Sequence, residues 1–110
     1  MRLRLSTRGI GLAAGERDSI ERAVRLALGR HGARVAAAAV ALQPSSRMHG
    51  AGRVCCRIRV RLRDGRSWIA EEHAPGVGEA VFGASGRVEA RLERERRLLH
   101  EGRRPFSLAH

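Results

Sequence analysis

Arg57, Arg59, Arg61 and Arg63 occupy every second position of the segment 57–63. On a β-strand that spacing puts four guanidinium groups on one face. Like charges so placed repel one another. Their planar forks of N–H donors match phosphate oxygens. The chemistry such a ladder could do is neutralisation of a polyanion; the plain alternative is a solvated face. A second basic series, Arg87, Arg91, Arg94, Arg96 and Arg97, runs at helical spacing, with Arg87, Arg91 and Arg94 on one side. Glu89, Glu93 and Glu95 lie between them. A salt-bridged solvent face and a nucleic-acid contact therefore fit this second series equally well.

Other chemistry finds less support. Gly9-Ile-Gly11 with Gly15 follows a strand-like segment, where a dinucleotide loop would sit. The spacing is not G-x-G-x-x-G, and the element order offers no parallel βαβ repeat. Gly83-Ala-Ser-Gly86 matches the GXXG pattern of KH domains, but it falls in a helical stretch and contains no basic residue. His31, His49, His73, His100 and His110 are dispersed without metal-ligand spacing. Cys55 and Cys56 are strand neighbours that point to opposite faces, so they do not pair, and with one His they make a poor zinc site. Glu71 and Glu72 are split to opposite faces in the same way. No nucleophile–base arrangement emerges, because the candidates fall in loops of no special pattern. The expectation is a non-enzyme with no cofactor, no metal and no small-molecule substrate.

The elements that carry these residues follow from periodicity. Residues 2–7 alternate, with Leu3 and Leu5 on one face and Arg2 and Arg4 on the other, as in a half-buried strand. Residues 16–30 switch to helical period, with Ile20, Ala23, Val24, Ala27 and Leu28 in one stripe. Glu16 and Asp18 begin that helix and Arg30 ends it, and Gly29 and Gly32 supply the stop. Residues 35–42 are apolar on both parities, which predicts a central strand. Over 53–63, Val54, Cys56, Ile58, Val60 and Leu62 form a core face, while Cys55 falls on the arginine face. Asp64-Gly65 predicts a two-residue hairpin into a strand over 66–72. Residues 77–100 are helical, with Val77, Val81, Ala84, Val88, Leu92 and Leu99 near one stripe and Gly83 and Gly86 weakening the first half. The order is β-α-β-β-β-α. Both helices must pack on one face of a four-stranded sheet, leaving the other in water, an α+β fold like that of double-stranded-RNA-binding domains.

Composition agrees. The 110 residues suit one domain, expected over 1–100, with a basic flexible tail over 101–110. Lys and Arg total 22, all of them arginine, against 11 acidic residues, a net charge of +11 that attracts polyanions. Aromatic residues are only 3%, too few for a base-stacking platform. No signal peptide or membrane span is visible, so a cytoplasmic location with no membrane partner is expected.

The start Met1-Arg-Leu-Arg-Leu-Ser-Thr and the segment Arg57-Ile-Arg-Val-Arg-Leu-Arg-Asp-Gly-Arg-Ser-Trp-Ile-Ala-Glu-Glu72, in this element order, resemble the ribosome hibernation-promoting factor family. That family is also called the ribosome-associated inhibitor A or sigma-54 modulation family. The resemblance spans about residues 1–100 and rests on pattern and spacing. It implies binding to the small ribosomal subunit between head and body, against ribosomal RNA. It also implies occlusion of the messenger and transfer RNA sites during hibernation and stress. The chain looks like a short form, without the C-terminal domain that pairs ribosomes. By position, Arg22, Arg25, Arg87, Arg91, Arg94 and Arg97 would be the carried-over contacts. The sequence departs from the family where Gly78-Glu-Ala-Val-Phe82 stands for an aromatic-Ala-Ala-Ile-Asp-like opening of the second helix, and in the Gly-rich first loop. Two other readings remain: a general structured-RNA or ribosome-assembly protein, and an interaction domain for an acidic protein partner. An exposed strand edge leaves room for a weak homodimer.

Overall fold

The computed structural model describes the backbone of residues 1–46 and 53–102 and the side chains of all of these except 101 and 102. The elements are β1 (Arg2–Thr7), α1 (Glu16–Leu28), β2 (Val35–Pro44), β3 (Val54–Leu62), β4 (Ser67–Ala74) and α2 (Val77–Gly102), with a 3-10 turn at Gly29–His31. The strands form one sheet in the order β1-β2-β3-β4. Both helices pack on one face of it, as the hydrophobic pattern requires.

β1 and β2 are parallel, whereas β2–β3 and β3–β4 are antiparallel. The β1-α1-β2 unit is thus a parallel crossover, which corrects the expectation that the order offers none. The dinucleotide reading still fails on its glycine spacing. At the entry to α1 the Glu16 carboxylate accepts from the Ala13 backbone N–H at 2.9 Å. The Arg17 guanidinium donates twice to the Leu5 carbonyl, at 3.0 and 3.2 Å, fixing the helix start against the end of β1. The helix does not stop on a left-handed glycine: Gly29 is helical and the chain tightens into the 3-10 turn, Gly32 N–H donating to the Gly29 carbonyl.

The two apolar parities of 35–42 have separate uses. Ala38, Val40 and Leu42 enter the core, and Ala37, Ala39 and Ala41 line the open face. A register shift between Val35 and Ala37 lets Val35 join the core despite its odd parity. The rest of the core is Leu5, Ile20, Val24, Leu28, the even positions of β3, and Ala80, Val81, Ala84, Val88 and Leu92 of α2.

The β3–β4 connection is a three-residue loop rather than the expected two. Leu62 N–H donates to the Arg66 carbonyl at 2.8 Å, and Gly65 N–H returns to the Leu62 carbonyl at 3.0 Å. Gly65 has φ +97, the left-handed site of a bulged hairpin, which a side chain would strain. Arg63 consequently sits in the loop and not on β3. Gly83 answers another demand: a Cβ there would lie 2.6 Å from Cγ of Glu72, so its absence lets α2 approach β4. The GXXG-like segment is an ordinary stretch of that helix.

α2 outruns the sheet. Its last core residue is Leu92, while Leu98 and Leu99 are exposed, which corrects the placement of Leu99 on the buried stripe. Ten further residues make about 15 Å of overhang. Glu95 anchors its base, accepting from Arg34 at 2.9 Å, with Arg66 at 3.5 Å and Arg91 at 3.3 Å. Of the tail expected over 101–110, the helix includes 101 and 102; residues 103–110 lie outside the described residues.

Candidate nucleic-acid interface

The register builds the open face row by row. Arg2, Ala37, Arg61 and Ser67 lie side by side across the four strands; Arg4, Ala39, Arg59 and Ile69 form the next row; Ser6, Ala41, Arg57 and Glu71 the third. Arginines on β1 and β3 thus wall a trough of alanines on β2. With strands about 4.8 Å apart, the walls stand roughly 10 Å from each other. Alanine keeps the trough floor low. Arg2, Arg4, Ala37, Ala39, Arg59 and Arg61 line one continuous concavity.

The four trough arginines carry no counter-charge. Arg2, Arg4, Arg59 and Arg61 are exposed and form no ion pair or side-chain hydrogen bond among the described residues. Arg57 differs, its Nε lying 3.2 Å from Oε1 of Glu71. Two guanidinium groups about 7 Å apart along a strand repel by only roughly 0.6 kcal/mol in water, so the fold tolerates them. Their summed field would favour an anion placed between the walls.

The helical arginines are arranged otherwise. Arg87 pairs with Glu72 at 2.7 Å, and Arg96 with Glu93 at 2.6 Å. Arg91 stacks over the Trp68 ring at 4.3 Å and reaches Glu95. Arg94 and Arg97 are exposed with no partner among the described residues, as are Arg22 and Arg25 on α1. The residues expected to contact RNA therefore do not form one surface. Arg57, Arg59 and Arg61 lie on the open sheet face, Arg63 at the hairpin tip, and Arg22, Arg25, Arg87, Arg91, Arg94 and Arg97 on the helical side. Arg2 and Arg4 complete the trough and were absent from the expected set. Their signal was present in the alternation of 2–7, but only the β1–β2–β3 register brings them opposite Arg59 and Arg61.

Two expectations about the cysteines change. Cys55 is on the open-face parity, yet it is buried, 2% exposed, at the end of the sheet. Its register partner is His73. Cys55, Glu71 and His73 lie together on strands, not in unpatterned loops. Cys56 faces the core, and burial first, then Cys55 and Glu72, push its thiol up to about 12. Cys55 and Cys56 form no disulfide. Glu71 and Glu72 do split to opposite faces, the first toward Arg57 and the second toward Arg87. At the hairpin, hydrogen bonds from the Arg66 backbone and guanidinium hold the Asp64 carboxyl below its usual range.

Solved structures of the same architecture include two that cover most of this chain. The Thermus thermophilus Protein Y N-terminal domain superimposes with a TM-score of 0.67 and 21% identity, over 86% of this chain and 98% of that one. A ribosomal subunit interface protein from Coxiella burnetii gives a TM-score of 0.70 and 11% identity, over 87% and 98%. Those likenesses establish the fold. Its strand and helix order is that of the ribosome hibernation factors, the fold that the sequence resemblance implied. No family model and no curated protein matches the sequence. Among the described residues no helix is long and apolar enough to cross a membrane.

Proposed function

We propose that the protein binds the small ribosomal subunit through phosphate contacts to ribosomal RNA and blocks translation by occupying the messenger and transfer RNA sites. The observation that carries this reading is the trough of Arg2, Arg4, Arg59 and Arg61 without carboxylate partners. The fold shared with a protein described as a ribosomal subunit interface protein supports the choice of polyanion. On this reading the action is occlusion and needs no catalytic group, the compartment is the cytoplasm, and binding weakens steeply with salt because bound phosphates release counterions. The open face makes the first contact, and Arg94 and Arg97 on the overhanging end of α2 add a second.

Co-sedimentation tests the proposal. Purified small subunits, large subunits and protein-free ribosomal RNA are each pelleted with the protein across a salt series, beside a cell-free translation assay. Saturable pelleting with small subunits, matched by inhibition, is the expected result. Equal affinity for protein-free RNA and for subunits would favour the general RNA-binding reading. Absence of pelleting with any of the three, at every salt that keeps the protein in solution, would sink both.

A further inference from the structure

The fourth row of the open face carries chemistry that phosphate binding does not use. Cys55 on β3 and His73 on β4 are register partners, and Glu71 stands two residues from His73 on the same face. One ligand atom from each of the three, a sulfur, an imidazole nitrogen and a carboxylate oxygen, lies within 4.8 Å of the others. The imidazole is held from both sides. Nδ1 is 2.7 Å from Oγ of Ser45, and Nε2 is 2.5 Å from Oε2 of Glu71. The second carboxylate oxygen of Glu71 faces Arg57 at 3.2 Å.

We infer that Cys55, Glu71 and His73 form a binding site for a transition-metal dication of the zinc class. A thiolate, an imidazole and one carboxylate are the donors that borderline-soft ions take, and they disfavour magnesium and calcium. In a tetrahedral zinc sphere such donors stand about 3.4–3.6 Å apart, given Zn–S near 2.3 Å and Zn–N near 2.0 Å. Separations of up to 4.8 Å close by at most about 1.2 Å to reach that sphere. The His73–Glu71 pair opens by about 0.9 Å to admit the ion. The ion then replaces the proton between Nε2 and the carboxylate. With the ion on Nε2, Nδ1–H donates to Oγ of Ser45, the usual arrangement of a ligating histidine. The Cys55 thiol gives up its proton to solvent on coordination. A thiolate and a carboxylate neutralise the dication, so the site does not add to the net charge of the arginine face. Water takes the fourth position. The ion would clamp β3 to β4 at the end where β2 leaves the sheet, adding to the Arg57–Glu71 pair that already crosses the two strands.

Cobalt(II) titration of the reduced, untagged full chain tests this. The expected result is saturation at one equivalent with a sulfur-to-cobalt charge-transfer band in the near ultraviolet, abolished stoichiometrically by zinc. Cys55→Ser removes the band, and Cys56→Ser keeps it. Glu71→Gln and His73→Gln weaken cobalt binding at least tenfold while far-ultraviolet circular dichroism stays native. Glu71→Gln changes one atom of a partly exposed side chain, so it reads the site even if Cys55→Ser fails to fold. No thiolate band in the unaltered chain, or a band indifferent to Glu71→Gln and His73→Gln in folded protein, would overturn the assignment.

Discussion

The open face of the sheet and the outer side of α2 are built from the same residue, and they differ in what stands opposite it. On the outer side of α2, Glu72 of β4 and the helix's own Glu93 and Glu95 take up Arg87, Arg96 and Arg91, while Arg94 and Arg97 toward its end have no partner among the described residues. On the sheet, Arg2, Arg4, Arg59 and Arg61 face alanines and water. Satisfied arginines brace a helix. Unsatisfied ones hold their hydrogen-bonding capacity for something outside. Counting basic residues cannot separate these cases; locating their counter-charges does.

The largest expected effect comes from reversing that provision. Arg2→Glu with Arg59→Glu puts carboxylates on both walls of the trough, and small-subunit affinity near physiological salt should fall about a hundredfold or more by pelleting. The paired variant Arg87→Glu with Arg91→Glu should cost far less binding, but it should lower thermal stability, because it sets carboxylates against Glu72 and Glu95.

Gly83→Ala sharpens the contrast from the other side. The added methyl meets Cγ of Glu72, so α2 must shift from β4, at a cost of about 1–3 kcal/mol measured by urea unfolding. Its RNA affinity should stay near that of the parent, because the trough lies on the other face.

His31 gives a smaller, pH-dependent effect. It is buried, 3% exposed, and desolvation lowers its pKa, with Arg34 and Arg30 adding to the fall and Glu93 opposing it. The folded state therefore binds the proton less readily than the unfolded chain. Stability present above about pH 6.5 is lost as pH falls below that value. His31→Leu should flatten this acid limb of the melting temperature. Unchanged acid sensitivity in that variant would place the cause elsewhere. Smallest of all, Cys56 should resist alkylation near neutral pH in the folded chain, by mass spectrometry, because its thiol is held at about 12.

Much of the fold was legible in the sequence because strand parity is a local property. The alternation over 53–63 placed the β3 core face, and the helical stripe of Ile20, Val24 and Leu28 matches the buried face of α1. What needed tertiary information stayed hidden. Nothing local says that Arg2 and Arg4 stand across β2 from Arg61 and Arg59, since register belongs to a pair of strands. The same holds for Cys55 and His73, eighteen residues apart and brought together by a three-residue loop where two had been expected. Leu99 fits the helical stripe but has no sheet beneath it, since Leu92 is the last residue over the core. Periodicity records which side of a helix is apolar, not where its support ends.

The most direct test of the account is the slope of log affinity against log salt for small subunits, measured for the parent chain, Arg59→Ala with Arg61→Ala, and Arg87→Ala with Arg91→Ala. Each lost phosphate contact reduces the slope by about 1. The slope should fall by about 2 in the sheet-face variant and change little in the helix variant. An unchanged slope in the sheet-face variant, with the loss falling on Arg87 and Arg91 instead, would contradict it.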